Sequence, residues 1–455
     1  MKLRAKSILL LAVLLSGLGL AHAGTATNSL VWQTGGDRVT ADIRGEALWP
    51  LLTDIAHQTG WHIFVEPGID RKIDVKFSSL PSGEALKKLL GDLNYAFVPR
   101  TNEADHLYVF ATTLRAATQR VKVATTNQAA VARHVANELI LKVKPGTDID
   151  ALAKALGAKV IGRDDKLGIY LLQFPDAAAT DAALASLKSN SDVATVEYNY
   201  LFDPPVNPQR MANAPAGSAA LALNPPGDTG RVIVGLVDTA IQPLGNGLDK
   251  FLLPPISVAG DANLSSTDPT HATTMAPTIL NGAGAQSGSP SVMIQSVDVY
   301  GPDTMANTWN VALGIQAAVN AGANPINMSF GGPTDSAILD QVIHDAQAKG
   351  IVFFGAAGNQ PVNTPTYPAA DSGVIAVAAT QGNQLAPYSN YGSFIAIALP
   401  GTSVVTIGNA SWMVQGTSPA TAFATGIAAG ARSGSGQTWS QILATMQQKF
   451  PVPKK

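Results

Sequence analysis

Five short apolar runs recur between residues 232 and 379: Val232 to Val237, Val292 to Val297, Pro325 to Ser329, Ile351 to Ala356 and Val374 to Ala379. Stretches of helical character lie between several of them, including Thr308 to Ala321 and Ser336 to Ala348. A strand that is apolar on both faces has no side to show to water, so it belongs in a sheet covered by helices on both faces. The alternation therefore predicts an α/β domain with a mainly parallel sheet. Hydrophobic residues make up 46% of the 455 and charged residues 14%, enough apolar material for a large core. At about 150 residues per domain, the chain has room for about three.

The upstream blocks read differently. Lys2, Arg4 and Lys6 precede the apolar run Ile8 to Leu20, and Ala21-His22-Ala23 follows it. This is the pattern of a secretory signal peptide, residues 1–23, with cleavage after Ala23. The expected location is outside the cytoplasm, periplasmic or secreted. No later run reaches the ~18 unbroken apolar residues of a membrane span. The chain has no cysteine, which excludes disulfides, thiolate catalysis and cysteine metal sites. A net charge of −2 gives no basic excess for nucleic acid or an anionic membrane.

Residues 28–115 read as a small α+β domain. Ala47 to His57 has Leu48, Leu51, Leu52 and Ile55 on one side and Gly60 to end it, as a helix would. Ile73, Val75 and Phe77 alternate with polar residues as in a half-buried strand, and Ser82 is placed to cap a second helix over Gly83 to Leu90. His57, His62 and His106 lack an acidic or histidine cluster and read as surface or packing residues. Ala116 to Ala136 reads as a connector. Residues 134–200 follow the order βαββαβ, the split, ferredoxin-like arrangement. Residues 201–228 hold six prolines among Asn, Ala and Gly, and read as an extended, accessible linker.

In open parallel sheets, reactive groups collect at the carboxyl ends of strands. Asp238 closes the run "RVIVGLVD", a position suited to orienting an imidazole, and equally to an N-cap or turn. Residues 229–455 contain two histidines. His344 lies in the polar-faced "LDQVIHDAQAKG" and reads as solvated, whereas His271 opens "HATTMAPTIL", where a helix start can face a cleft. Ser418, in "GTSPATAFATGIAAGA", stands at a helix start near the positive end of its dipole; taken alone it is also an ordinary N-cap serine. Asn359, in "FFGAAGNQ", offers an amide donor for an oxyanion, or simply a turn.

The order Asp, His, Asn, Ser turns these fragments into a pattern. "VDTA" at Asp238, "HATTMA" at His271, "INMSFGG", "AAGN" at Asn359 and "GTSPATA" at Ser418 resemble the successive motifs of subtilisin-like serine peptidases, over about residues 229 to 432. "ELILKVKPGTDIDALAKALGAKV" with "VATVEYNY" resembles the propeptide of that family. The block around "LLTDIAHQTGWHIFVEPGIDRKIDVKFSSL" resembles the short N-terminal domain of secretins and TonB-dependent receptors. The first resemblance implies a Ser418 nucleophile, a His271 base, an Asp238 orienter and an oxyanion hole of Asn359 with the Ser418 N–H. It also implies a cleft along Ser329, Phe330 and Gly331 that takes extended peptide. The expected partner is a protein or peptide substrate, with an envelope protein as a further partner for the N-terminal domain. No metal or cofactor is evident; calcium stays open, without support from the sequence. The sequence departs from the family's glycines at Ala240 and Ala272, from its second histidine at Thr274 and from its proline at Ala422; the two methyls added beside the triad, at Ala240 and Ala272, would narrow the site or shift the histidine. The alternative functions are a catalytically weak peptide-binding module and an envelope adaptor.

Overall fold

The computed structural model describes residues 29–33, 38–69, 71–99, 105–121, 133–203, 205–211, 223, 231–286 and 290–454. The expected signal peptide lies outside these residues, as does most of the expected linker. The chain divides into two compact units, Met1–Val121 and Lys122–Lys455.

The first unit contains β1 (Ser29–Gln33), β2 (Arg38–Ala47), α1 (Leu48–Thr59), β3 (His62–Val65), β4 (Lys72–Leu80), α2 (Ser82–Leu90), β5 (Asn94–Val98), β6 (His106–Phe110) and β7 (Gln119–Val121). They form two sheets, β1-β2-β4 and β5-β6-β3-β7. Helix α1 buries Leu48, Leu51, Leu52 and Ile55, and Gly60 ends it with a left-handed φ of 73°. Ser82 is already inside α2; Pro81 occupies the cap position and no side chain caps the helix, so the expected Ser82 cap is not formed. The expected connector is also corrected, because Gln119–Val121 pairs with β3 and His134 already belongs to a strand. His62 and His106 are register partners on β3 and β6, their rings 5.4 Å apart, and the His106 Nδ1 lies 3.1 Å from the Tyr108 hydroxyl. Among the described residues no cluster of His, Asp or Glu could hold a metal.

The second unit opens with β8 (His134–Val143), α3 (Ile149–Ala155), β9 (Lys159–Asp164), β10 (Ile169–Gln173), α4 (Ala177–Leu187) and β11 (Val193–Phe202). The strand order β11-β8-β10-β9, antiparallel at each step, is that of the split βαβ fold. Asp148 and Asp176 cap α3 and α4 by accepting backbone N–H groups. Successive residues of a strand face opposite sides. Leu139 and Leu141 accordingly pack with α3 and α4, while Ile140, Ile169 and Leu171 join the core of the next block.

That block holds β12 (Gln209–Arg210), β13 (Val232–Asp238), β14 (Ile256–Ser257), α5 (His271–Gly284), β15 (Val292–Asp298), β16 (Ala306–Asn307), α6 (Thr308–Asn320), β17 (Ile326–Met328), α7 (Ala337–Gln347), β18 (Phe353–Ala356) and β19 (Val374–Gln381). It ends with β20 (Gln384–Leu385), β21 (Ile397–Pro400), β22 (Thr402–Ile407), β23 (Ala410–Gln415), α8 (Thr417–Ser435) and α9 (Trp439–Lys449). The main sheet runs β14-β15-β13-β17-β18-β19-β20, parallel except at β20, with β21 also on β19. Helices α6 and α7 cover one face and α5 and α8 the other, so both faces are dry, as the apolar runs require. Among the described residues no helix is long and apolar enough to cross a membrane.

The split βαβ block docks on α6 and α7. A methyl built on Gly162 would lie 2.6 Å from the Trp309 ring, so the indole lies flush against β9. Asn199 accepts the Trp309 N–H at 3.1 Å in the first turn of α6. Glu197 accepts from the Ser336 hydroxyl and from the Ala337 and Ile338 N–H groups at the start of α7. Two helix ends, with donors unsatisfied within their own helices, are thus completed by β11. The expected linker is partly bound too. Leu201 and Phe202 continue β11 and pair with β16, and Gln209–Arg210 pairs with β23.

Helices α5 and α8 meet almost backbone to backbone. A methyl on Gly426 would lie 2.0 Å from the Ile279 carbonyl oxygen, and one on Gly282 would lie 2.4 Å from that of Phe423. Gly426→Ala should therefore force the helices apart, at a cost of about 1–3 kcal/mol or more. A denaturant titration should show this loss, while Gly83→Ala, with open space around it, should hold stability or raise it by up to roughly 1 kcal/mol.

Burial, opposed by its three donors, pushes the Glu197 pKa up to about 7 from an ordinary value of 4.5. A raised carboxyl pKa means that the docked state holds a proton the undocked state releases. Docking is therefore strongest below the ordinary carboxylate range and weakens as pH rises through about 7. Melting of a full-length Ser418→Ala chain across that range should show the loss, and adding Glu197→Gln should flatten it.

Candidate active site

Asp238 is the last residue of β13 and is 1% exposed. Both its carboxylate oxygens lie 2.9 Å from His271 Nδ1. Two threonines set this approach. Thr239 donates its N–H to Asp238 at 2.7 Å and accepts the Ala272 N–H at 3.0 Å, tying the strand end to the helix start. Thr270, the cap of α5, donates to the Ala240 carbonyl at 2.6 Å. A carboxylate can only accept, so Nδ1 carries the proton and Nε2 of the neutral ring carries a lone pair. Nε2 is buried, with no hydrogen-bond partner among the described residues.

Asp298 is the register partner of Asp238 on β15. Burial holds its carboxyl above the usual range, against the pull of the Gly301 and Tyr300 N–H groups and the Ser257 hydroxyl; the Asp238 charge adds to the rise. Burial, with Asp238 next in weight, likewise pushes the Tyr300 hydroxyl well above its ordinary value.

Ser418 is the second residue of α8 and is 4% exposed. Its Oγ donates to the Ser329 carbonyl at 3.0 Å, and Ser329 Oγ donates back to the Ser418 carbonyl at 3.3 Å. Asn327 braces Ser329 through Nδ2 at 2.9 Å and is itself held by Thr425. Asn359 lies three residues beyond β18, and its Oδ1 accepts from Thr417 N at 2.8 Å and Thr417 Oγ1 at 3.1 Å. That fixes which end of the amide is spent and leaves Nδ2 as the donor end. Gly416 has a φ of +152°, and a methyl there would lie 3.0 Å from Nδ2, so the turn into α8 requires glycine.

Strands β13, β17 and β18 are consecutive in the sheet, so Asp238, Ser329 and Asn359 all lie at its carboxyl edge. Phe330 meets Phe202 with ring centroids 5.6 Å apart, and the Gly331 carbonyl accepts the Asp203 N–H at 3.2 Å. His344 is exposed on α7, away from this edge. Thr239, Thr270, Asn327 and Thr417 were not singled out from the sequence, nor was the two-residue strand β16. Threonines flanking three of the motif residues were the available signal.

Residues 229–450 match the Subtilase family, and residues 120–199 match the fervidolysin N-terminal prodomain. Subtilisin BL of Lederbergia lenta is 31% identical over 201 residues, which cover 42% of this chain and 74% of that protein. The chain belongs to the subtilase family. This subtilase is also 37% identical over 188 residues to a thermostable alkaline protease of Halalkalibacterium halodurans, covering 39% of the chain. It spans about half of that relative, 52%. Fervidolysin, a keratinolytic enzyme of Fervidobacterium pennivorans, shares the fold with a TM-score of 0.55 at 20% identity, over 68% of this chain and 57% of its own. These relatives are proteases or related to them, and they do not favour a non-catalytic module or an envelope adaptor.

The departures from the family pattern sit differently from what the sequence suggests. Ala272 and Ala422 are fully buried in one apolar cluster with Met275, Ala276 and Ile279. Their methyls belong to the packing between α5, α8 and the sheet. Thr274 is buried and donates to the His271 carbonyl at 2.8 Å within its own helix. Ala272→Gly should therefore keep kcat on a peptide substrate and lower stability by up to roughly 1 kcal/mol. Paired kinetics and thermal melts test this; a large fall in kcat without loss of stability would show that the methyl shapes the site.

Proposed function

We propose that this subtilase is an exported serine endopeptidase made as a self-processing precursor, with Ser418, His271 and Asp238 as its triad. The observation that carries the reading is the buried Asp238–His271 pair, which presents a lone pair at Nε2 on the edge that also bears Ser418 and Asn359. Ser418 Oγ turns from the Ser329 carbonyl to Nε2 and attacks the scissile carbonyl as its proton passes to His271. Asp238 stabilises the imidazolium. The oxyanion takes hydrogen bonds from Asn359 Nδ2 and the Ser418 N–H. The amine leaves with the proton from His271, and water then releases the acyl group by the same steps. Substrate lies extended between β16 and residues 331–332, the walls that Leu201 to Asp203 now occupy. The first substrate is the chain itself, cut between Tyr200 and Thr229. The expected signal peptide supports export, to the periplasm or beyond.

Ser418→Ala should abolish peptidase activity and labelling by a fluorophosphonate probe while keeping the fold. Peptide-ester hydrolysis close to wild type would sink the assignment. Asn359→Ala should lower kcat by on the order of 10²–10³, a size carried over from the corresponding donor of subtilisin rather than calculated. The wild-type chain, analysed by mass spectrometry beside Ser418→Ala, should lose its N-terminal blocks; Ser418→Ala should stay full length. Identical cleavage of both would assign processing to another protease.

A further inference from the structure

The precursor's own chain runs through the cleft, and its register can be counted. Phe202 lies against Gly332: a methyl on that glycine would be 3.5 Å from the Phe202 ring and 4.0 Å from its Cα. One residue on, the Asp203 N–H donates to the Gly331 carbonyl at 3.2 Å. The chain advances as the wall recedes, which is an antiparallel register, and in such a pair the two residue numbers keep a constant sum. Continued by two residues, the count sets Pro205 against Ser329. Ser329 is the residue whose carbonyl holds the Ser418 hydroxyl.

The exit side agrees. Gln209 and Arg210 pair with Met413 and Trp412 of β23, and Met211 N donates to the Ser411 carbonyl at 2.9 Å. Strand β23 leads directly into Gly416 and α8. Pro205 to Gln209 thus join the position set against Ser329 to the strand that leads into α8. Pro205 and Val206 are half-buried there, while Asn207 is exposed.

Proline at this position has a chemical consequence. An ordinary residue set against Ser329 would donate its N–H to the Ser329 carbonyl and be held for attack. Proline has no N–H to give. The Ser329 carbonyl instead accepts from Ser418 Oγ, and His271 Nε2 has no partner among the described residues. The nucleophile is turned onto an acceptor that a better substrate would occupy.

We propose that Pro205–Val206 is the bond the precursor presents to Ser418, and that Pro205 retards its cleavage. This rests on the peptidase reading above and adds the bond and the residue that sets its rate. When the bond is cut, water adds across it; the new carboxylate belongs to Pro205 and the new amine to Val206.

The test uses the full chain as wild type, Pro205→Leu, Pro205→Ala and Pro208→Ala, incubated after purification and sampled by intact-mass spectrometry. Both position-205 variants should release a product beginning at Val206 about tenfold or more faster than wild type, roughly the worth of one regained backbone hydrogen bond. Pro208→Ala lies past the counted position and should process at the wild-type rate. Two position-205 variants guard against a folding defect in either. Equal rates for wild type and both variants, a first product beginning elsewhere, or equal acceleration by Pro208→Ala would overturn the proposal. A fluorophosphonate probe added at the end separates the two readings. Labelling of every chain with equal processing rates defeats only the role of Pro205. No labelling and no cleavage in any chain defeats the peptidase reading and this one with it.

Discussion

The close approach of α5 and α8 is the constraint on which the candidate site depends. One helix carries His271 at its first residue and the other carries Ser418 at its second. Glycines at 282, 426 and 430 let the two backbones touch, so the spacing between the helices is set by main chain and not by adaptable side chains. Close-packed backbone has little freedom to relax, and groups fixed to it inherit that rigidity. The alanines at 272 and 422 fill the same seam. What reads in the sequence as crowding of a reactive centre is thus part of the packing that holds the centre still.

The second constraint is electrostatic. β13 and β15 end side by side in Asp238 and Asp298, two buried carboxyls in register. They are kept apart in role by their partners. Asp298 turns to backbone N–H groups at Tyr300 and Gly301, whereas Asp238 takes the Thr239 N–H and the imidazole. One carboxyl closes a turn and the other orients a ring. The difference lies in which donors each loop supplies.

Much of this was legible in the sequence, and the exceptions share a cause. Asp238, His271, Asn359 and Ser418 could be found because each stands where a periodic element stops or starts, and their order added what no single motif carried. The ferredoxin-like block was legible because its apolar alternation is strong. β2 carries a fair signal as well, with Val39, Ala41 and Ile43 alternating with polar residues. β7, β12 and β16 are two or three residues long, too short for any period to show, and they exist because a partner strand is there to pair with. Proline content made residues 201–228 read as free chain, yet Phe202 is buried against Phe330; tertiary contact outweighed local composition. The role of the Ser329 carbonyl had no sequence signal at all, since every residue has a carbonyl.

β16 is only two residues long, and its partner is the tail of the prodomain. It is an edge whose hydrogen-bonding groups are common to any backbone laid beside it. Under the proposed function, the tail and an incoming peptide compete for one set of main-chain bonds, and neither is distinguished there by side chain. A change that strengthens this edge tightens both alike, so avidity for substrate and the duration of latency are coupled quantities. They separate only at the positions where side chains enter, above all the pocket filled by Phe202. Selection for a faster or a more dormant precursor would have to act there, or in the sequence of the tail, and not on the edge itself.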